Sequence, residues 1–512
     1  MNEVIISLQG LSLNDVIDVA RNLAKVDLSD KVLERVERSR KTIERAISEE
    51  KIIYGVNTGF GALSDRIIPR KDVERLQINL IRSHSAGVGK PLANEIVRAT
   101  MLLRINALTR GYSGVSLDVV QILVEMLNKQ IHPLVPEKGS VGASGDLAPL
   151  AHIALTMIGE GQVEVGDKIL PSGEALKSAN LNPVRLGPKE GLALINGSQL
   201  ITAIGALTVF DAENILKASQ ISTALSLEAL NGRIDPFDKR IHSARPFKGQ
   251  IAVAENISRL VENSRIISDA TSKRIQDAYS LRCSPQIIGT SKDTIDYVRR
   301  TIEVEINSAT DNPLVFPENG DIVSGGNFHG QPIAMALDFL SIAMCNIGNI
   351  CERRVARLID DKLSGGLPPF LVKQMGEEGL SSGFMTAQST AASLAAENRC
   401  LSNPSSVNSI STNANQEDLV SMGMTAAGKA KDILRNTEYI IAIELLCAAQ
   451  GLEFRGVDKA GVGTLAAYNL IRKVAQSLEE DAELSPLIEN VARLVQGGEL
   501  VASVEKRIGR LV

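Results

Sequence analysis

The stretch GSVGASGDLAPLAH, residues 139–152, places three glycines, two serines and an aspartate directly before an apolar segment. Glycine-rich loops before helices often bind phosphate groups. This loop lacks the lysine of GxxxxGK[ST], and its glycine spacing does not match GxGxxG. The residue types therefore indicate a different chemistry.

Within this loop, Ala143, Ser144 and Gly145 could form an electrophile from the backbone alone. If the chain turns tightly, the Gly145 nitrogen can attack the Ala143 carbonyl carbon, and loss of water closes an imidazolone ring. Loss of a second water, with the Ser144 hydroxyl, leaves an exocyclic methylene. Gly142 permits the bend, and Asp146 is placed to assist proton transfer. The alternative is an ordinary turn followed by a helix N-cap.

The longer motif GSVGASGDLAPLAHIAL closely resembles the signature of the aromatic amino acid ammonia-lyase family. The resemblance covers nearly the whole chain, from YGVNTGFG near residue 54 to NQEDLVSMG near residue 416. It implies the prosthetic group 4-methylideneimidazole-5-one, formed autocatalytically from Ala143-Ser144-Gly145, and elimination of ammonia from an α-amino acid. No metal or nucleotide is expected, because the five histidines are scattered and form no HExxH pattern.

Three residues in other motifs are expected close to the electrophile. The resemblance assigns Tyr54, in IIYGVNTGFG, as the base that removes the β-proton. Asn196, in LALINGSQ, corresponds to an asparagine that hydrogen-bonds to the prosthetic group and the substrate. Phe328, in GGNFHGQP, corresponds to a phenylalanine beside the ring, and we interpret the adjacent His329 as structural.

The motif QDAYSLRCSPQIIG, residues 276–289, is expected to bind the substrate carboxylate. Arginine is the natural bidentate partner of a carboxylate, and the resemblance gives this role to Arg282. It also implies that Tyr279 acts near the amine and the electrophile, and that Gln276 lines the site.

Two residues are candidates for recognising the substrate side chain. The Ser83-His84 pair resembles family members that act on histidine, and His84 could hydrogen-bond to an imidazole. Glu397 lies in the otherwise apolar TAASLAAEN, where a charge on a buried stripe indicates function; it could hold or orient the imidazole. Leu419 stands where those members commonly have histidine. We expect L-histidine to give trans-urocanate; tyrosine or phenylalanine as substrate, or a 2,3-aminomutase, are the alternatives.

Helical periodicity dominates the elements that must position these motifs. Amphipathic helices are predicted at about residues 15–26, 31–50 and 94–111. Longer, nearly all-apolar helices are predicted at about 198–230, 287–307, 332–363, 385–401 and 420–450, and such helices are buried by other helices. Two hairpins are predicted, at residues 162–176 and 312–328, turning at 166–167 and 319–320.

These elements predict a mainly α fold. A mixed, loop-rich part, residues 1–200, carries the tyrosine loop and the electrophile loop, and a bundle of long helices follows over residues 201–512. Fumarase-like lyases have a similar helical architecture, but their GSSxMPxKxN loop is not found here. A helical scaffold without enzymatic activity would leave the glycine-marked polar motifs unexplained.

Composition narrows the partners and the compartment. The 512 residues carry 55 basic and 60 acidic side chains, a net charge of −5, which argues against nucleic acid or an anionic membrane as a partner. Five scattered cysteines without CxxC spacing, and an N-terminus without a signal pattern, favour the cytoplasm. No apolar run is expected to approach the roughly 18–20 residues of a membrane span. The family resemblance implies a homotetramer with active sites shared between subunits.

Overall fold

The computed structural model describes residues 3–268, 275–372 and 379–512, and the chain forms two compact units. Unit 1 comprises residues 1–207, 299–338 and 404–428; unit 2 comprises residues 208–298, 339–403 and 429–512. The predicted division at residue 200 lies close to the first of these boundaries only. The chain returns to unit 1 twice, first inside the helix Ser284–Ile306 and then in the loop that follows the helix Met385–Leu401.

All strands of the described residues belong to unit 1, in small sheets of two or three strands. Glu3–Ile6 pairs in parallel with Lys25–Leu28, and the other pairs are antiparallel. The antiparallel strands are Val88–Pro91 with Pro136–Lys138; His132–Pro133, Gln162–Val165 and Lys168–Pro171 in one sheet; and Leu314–Phe316 with Asp321–Val323. Gln162–Val165 with Lys168–Pro171, and Leu314–Phe316 with Asp321–Val323, are the two predicted hairpins, and both have the predicted turns.

Unit 1 is organised around the helix Asn94–Thr109, in which every residue from Ile96 onward is buried. This helix packs against Leu13–Ala20, Asp30–Ser48 and Leu117–Asn128. The remaining helices that lie wholly in unit 1 are Val73–His84, Leu147–Met157, Ser172–Ser178 and Glu190–Ile195. Because the central helix is buried nearly all round, its polar side chains must find partners inside the protein.

Two predicted helices end earlier than the periodicity indicates. The helix predicted at 15–26 begins with a Ser12–Asp15 capping box but stops at Ala20. Leu23 has a φ of 55°, and the chain then joins the sheet through strand Lys25–Leu28. A helical apolar pattern does not reveal this pairing with the N-terminal strand. The helix predicted at 332–363 ends at Leu358.

Unit 2 is built from helices, as predicted. Four long helices, Gln199–Ala229, Ser284–Ile306, Gln331–Leu358 and Gly423–Glu453, contain residues of both units. The others are Lys239–Ser243, Lys248–Leu260, Arg265–Ser268, Tyr279–Arg282, Met385–Leu401, Val462–Val474, Leu484–Gln496 and Glu499–Ile508. Within unit 2 the fully buried pair Arg354–Glu444 joins two of the long helices, and Ser222 and Ser226 of a third donate to Glu444. The chain is about 60% helical, which confirms the predicted fold class.

One helix of the described residues, Gln331–Leu358, is long and apolar enough to cross a membrane. The expectation that no segment reaches this length is therefore wrong. In this structure 72% of its most apolar window is buried, which is what the core helix of a folded protein shows.

Candidate functional site

A cleft of about 490 Å³ in unit 1 brings together residues from separate sequence motifs. Its lining includes the predicted site residues Tyr54, His84, Ala143, Ser144, Asn196 and Phe328. It also includes a segment that contributes Asn413, Gln416, Glu417, Asp418 and Leu419. The cleft is thus formed around the loop whose chemistry the sequence predicted.

Three short helices of unit 1 hold the predicted residues in the cleft. Val73–His84 ends at His84, Leu147–Met157 follows the electrophile loop directly, and Glu190–Ile195 ends just before Asn196. These three helices pack against one another. Their mutual packing therefore fixes the side chains at their ends.

The electrophile loop is bent at two glycines. Gly142 has a φ of 68° and Gly145 a φ of 76°, which residues with a Cβ rarely adopt. A Cβ on Gly145 would lie 2.2 Å from the Gly197 carbonyl oxygen, because Gly145 and Gly197 form a parallel β-bridge. The next amide, Asp146 N–H, donates to the same oxygen at 2.7 Å. The loop conformation thus depends on the adjacent Asn196–Gly197 segment.

Asp146, directly after the tripeptide, is fully buried. Its Oδ2 accepts from the Ile201 N–H at 2.9 Å, and its Oδ1 accepts from the Ser140 hydroxyl at 3.2 Å. Burial raises the pKa of this carboxyl to about 7, although both hydrogen bonds favour the ionised form. Asp146 can therefore take up and release protons near neutral pH.

Ser144 is contacted from two sides. Its hydroxyl donates to Glu417 Oε1 at 2.9 Å, and the Thr412 hydroxyl donates to Glu417 Oε2 at 2.7 Å. The Ser144 carbonyl accepts from Asn196 Nδ2 at 3.0 Å. Asn196 Oδ1 is buried and has no hydrogen-bond partner among the described residues. The cleft wall therefore contains an acceptor available to a ligand.

His84 is oriented by the backbone of its own helix. Its Nδ1 lies 2.9 Å from the Leu80 carbonyl oxygen, which can only accept, so Nδ1 carries the proton. Burial lowers the pKa of His84, and the Leu80 carbonyl and the charge of Glu417 counteract this only partly. The ring is therefore neutral at pH 7, with Nε2 as an acceptor.

Tyr54 and His329 are also fixed by hydrogen bonds. The Tyr54 hydroxyl oxygen accepts from the Gly61 N–H at 3.1 Å. His329 Nε2 donates to the Leu419 carbonyl at 3.2 Å, and its Nδ1 accepts from the Gln331 N–H at 3.3 Å. Both ring nitrogens of His329 are thus engaged with backbone groups, in agreement with a structural role, although the residue lines the cleft.

Four predicted site residues, Gln276, Tyr279, Arg282 and Glu397, belong to unit 2, and none of them lines this cleft. Arg282 lies over the Tyr279 ring, with 4.6 Å from Cζ to the ring centroid, and its Nε donates to the Asp277 carbonyl at 3.0 Å. Tyr279 is 69% exposed. The cleft lining contains no lysine or arginine among the residues described. The roles of these four residues stay predictions.

The prediction that Glu397 lies on a buried stripe is wrong. The buried positions of helix Met385–Leu401 are Ala387, Ala391, Ala395 and Asn398, and Glu397 is exposed. The apolar character of the segment comes from small residues that remain largely exposed in this chain. The acid that reaches the cleft is Glu417, which the sequence analysis did not single out. Its signal was its position inside NQEDLVSMG, one of the motifs that carry the family resemblance.

Comparison with known proteins identifies the family of the chain. The family model for aromatic amino acid lyases matches residues 11–473. A histidine ammonia-lyase of Alkaliphilus oremlandii is 51% identical over 508 residues, 99% of each chain. Among solved structures, histidine ammonia-lyase from Trypanosoma cruzi has a TM-score of 0.91 and 41% identity, covering 98% of this chain and 95% of that one. Tyrosine aminomutase from Streptomyces globisporus has a TM-score of 0.94 and 37% identity over 100% of both chains. The chain therefore belongs to the aromatic amino acid lyase family.

Proposed function

We propose that this enzyme is a cytoplasmic histidine ammonia-lyase, which eliminates ammonia from L-histidine to give trans-urocanate, the first step of histidine degradation. The observation that carries the proposal is the arrangement around Ser144: Asn196 on its carbonyl, Glu417 on its hydroxyl, and His84 in the same cleft. The name of the relative from Alkaliphilus oremlandii supports the same substrate.

The residues of the loop fit formation of the methylideneimidazolone from Ala143-Ser144-Gly145. Gly145 has the left-handed φ and the side-chain-free surface that the tight turn needs, and Asp146 has a pKa of about 7 beside it. The methylidene carbon of the group supplies an electrophile that activates the substrate for loss of its amine. The Ser144 carbonyl would become the ring carbonyl, so the Asn196 amide draws electron density from the ring.

In this proposal, His84 and Glu417 bind the imidazole of the substrate. His84 Nε2 is an acceptor for an imidazole N–H, because Nδ1 is committed to the Leu80 carbonyl. Glu417 Oε1 is occupied by the hydroxyl that leaves during maturation. Loss of that hydroxyl frees Oε1 to accept from the substrate, while Thr412 keeps Oε2 in place. A carboxylate on the imidazole favours its protonated form and makes the β-hydrogen more acidic.

Tyr54 removes the β-proton in this scheme. The Gly61 N–H that donates to its hydroxyl oxygen stabilises the negative charge that a phenolate base carries. Asn196 Oδ1, buried and without a partner, accepts from the substrate ammonium group. Phe328, which lines the cleft, would pack beside the reacting group.

We further propose that the active form is a homotetramer with active sites shared between subunits. A substrate carboxylate needs a cationic partner, and the cleft lining of unit 1 contains none among its described residues. Arg282, Tyr279 and Gln276 are the residues predicted for that role and do not line this cleft. Another copy of the chain would supply them.

The test is the appearance of urocanate. Purified protein is mixed with L-histidine, and the near-ultraviolet absorbance of the product is followed, with L-tyrosine and L-phenylalanine in parallel. An increase with histidine alone is expected. An increase with tyrosine or phenylalanine only, or formation of a β-amino acid, would refute the substrate and leave the electrophile chemistry intact.

A further inference from the structure

Arg104 is a cation inside unit 1 that forms no ion pair with a carboxylate of the described residues. It lies on the central helix Asn94–Thr109 and is 1% exposed. Asp311 pairs with Lys189, 2.7 Å apart, and the Arg104 guanidinium donates to neutral acceptors. Burying a charge in this way is unfavourable, because the charge loses its hydration. A chain that keeps such a residue must gain something specific from its contacts.

The Arg104 guanidinium is directed at one turn of the backbone. Its Nη1 donates to Gln199 Oε1 at 2.6 Å and to the Asn196 carbonyl at 3.1 Å, and its Nη2 donates to the Ala193 carbonyl. Nη1 also lies 3.4 Å from the Thr310 carbonyl. Ala193 is near the C-terminal end of helix Glu190–Ile195, where carbonyls lack helical partners. The guanidinium therefore caps this helix at the point where the chain turns.

The capped turn is the one that contacts the electrophile loop. Asn196 donates its side-chain amide to the Ser144 carbonyl, and Gly197 forms the bridge with Gly145. Arg104 itself does not line the cleft, and its hydrogen bonds go to the backbone of the turn rather than to residues 143–145. The Arg104 guanidinium donates to the backbone carbonyl of Asn196, whereas the side-chain amide of Asn196 donates to the Ser144 carbonyl.

We propose that Arg104 is a positioning residue for the electrophile loop, acting through the Ala193–Gly197 turn that its guanidinium holds. The proposal rests on the function proposed above and adds a residue to it. Arg104 sets where Asn196 Nδ2 and the Gly197 backbone lie. It thereby sets both the ring-closing conformation of residues 143–145 before maturation and the polarisation of the ring carbonyl afterwards.

Arg98 provides a matched control. It lies on the same helix, is 2% exposed, and donates to the backbone carbonyls of Val19 and Leu127 at 2.9 and 3.0 Å, with no contact to the turn or the loop. Lysine at either position keeps the charge but replaces the planar guanidinium, with its five donors, by a compact ammonium group with three. Arg104→Lys and Arg98→Lys therefore cause comparable losses of packing and hydrogen bonding, at different places.

The experiment compares the two variants by intact mass, thermal midpoint and kinetics. We expect the Arg98→Lys protein to mature as completely as the wild type, which the intact mass shows as the loss of two water molecules. We expect Arg104→Lys, at a similar midpoint, to show a several-fold smaller matured fraction and a kcat per matured site lower by about 100-fold, with KM changed much less. In an Asn196→Ala background the effect of Arg104→Lys on kcat should disappear, because both act through one amide.

Full maturation and unaltered kcat in Arg104→Lys would overturn the positioning role, and the wild type would still form urocanate. If the wild type itself retains both waters, the proposed function fails instead. Should Arg104→Lys not fold, Gln199→Met removes the side-chain acceptor of the guanidinium, together with the Gln199 hydrogen bond to the Thr310 hydroxyl, and leaves the carbonyl contacts of Arg104. Gln199→Met is then expected to lower the matured fraction, and complete maturation in this variant would contradict the proposal.

Discussion

The Ser144 hydroxyl donates a hydrogen bond to Glu417 Oε1 at 2.9 Å, although 273 positions separate the two residues in the chain. In the proposed function, the hydroxyl that leaves during maturation is therefore held by the same carboxylate that faces the substrate cleft afterwards. This relationship connects maturation and substrate recognition at one side chain, and it leads to predictions for Glu417 and for its surroundings.

Ser144→Ala is expected to abolish turnover and to leave the fold unchanged. Alanine can take the serine conformation but has no hydroxyl to lose, so no methylidene can form. The variant should keep the circular dichroism spectrum and thermal midpoint of the wild type. Turnover of histidine at the wild-type rate would contradict the electrophile assignment.

Glu417→Gln is expected to lower kcat/KM for histidine by about 10- to 100-fold, because a charged hydrogen-bond acceptor becomes neutral. Glu397→Gln is the comparison, since Glu397 was the carboxylate predicted from sequence. If the structure identifies the correct acid, the effect at Glu417 exceeds that at Glu397. The opposite order would return the imidazole-binding role to Glu397.

Tyr54→Phe is expected to lower kcat by about 10²- to 10⁴-fold, the usual contribution of a general base. Maturation should be complete, because Tyr54 makes no hydrogen bond to residues 143–145 among the contacts described; its hydroxyl is bonded to Gly61. The mass of the variant separates the two effects. A variant that matures and retains wild-type kcat would exclude Tyr54 as the base.

His84 is expected to set part of the acid limb of the kcat/KM profile. Burial lowers its pKa from the usual 6.5, so the neutral acceptor form persists at pH 7 and is lost only as the pH falls further. Free histidine contributes a limb of its own, so the profile is measured for the wild type and for His84→Asn. The part of the acid limb that disappears in His84→Asn belongs to the titration of His84. Identical pH profiles of kcat/KM for the two proteins would contradict the role of His84 as an acceptor.

His132 is expected to make unit 1 sensitive to acid. Burial, and then the adjacent Arg98, lower its pKa from 6.5 to about 4. Below pH 6.5 the unfolded chain binds a proton that the folded chain does not bind until about pH 4, so stability falls as the pH falls through this interval. His132→Gln should show a smaller loss of urea midpoint over the same interval. An equal loss in both proteins would refute the assignment.

The sequence was sufficient for the parts of the site that lie in compact motifs. Tyr54, His84, Ser144 and Asn196 each stand in a glycine-marked stretch, and the structure brings them into one cleft. Glu417 could not be recognised in this way, because a carboxylate in a polar loop is ordinarily solvated. The role proposed for Glu417 depends on a contact with Ser144 that only the fold creates.

The helix bounds likewise could be predicted where they depend on nearby residues and could not be predicted where they depend on contacts between distant residues. The helix Met385–Leu401 has the predicted bounds, because its run of small and helix-favouring residues is a local feature. The end of the first helix at Ala20 could not be predicted, since it depends on pairing between Lys25–Leu28 and Glu3–Ile6. The buried position expected for Glu397 failed for a related reason: small residues make a segment apolar without making it buried.

The most direct test of the account is the mass of the peptide that contains residues 139–152, released from the purified protein. The account predicts that this peptide lacks two waters relative to its sequence, and that Ser144→Ala does not lose the second one. A peptide of unmodified mass from protein that is folded would show that Ala143-Ser144-Gly145 remains an ordinary turn, and the proposed chemistry would have to be abandoned.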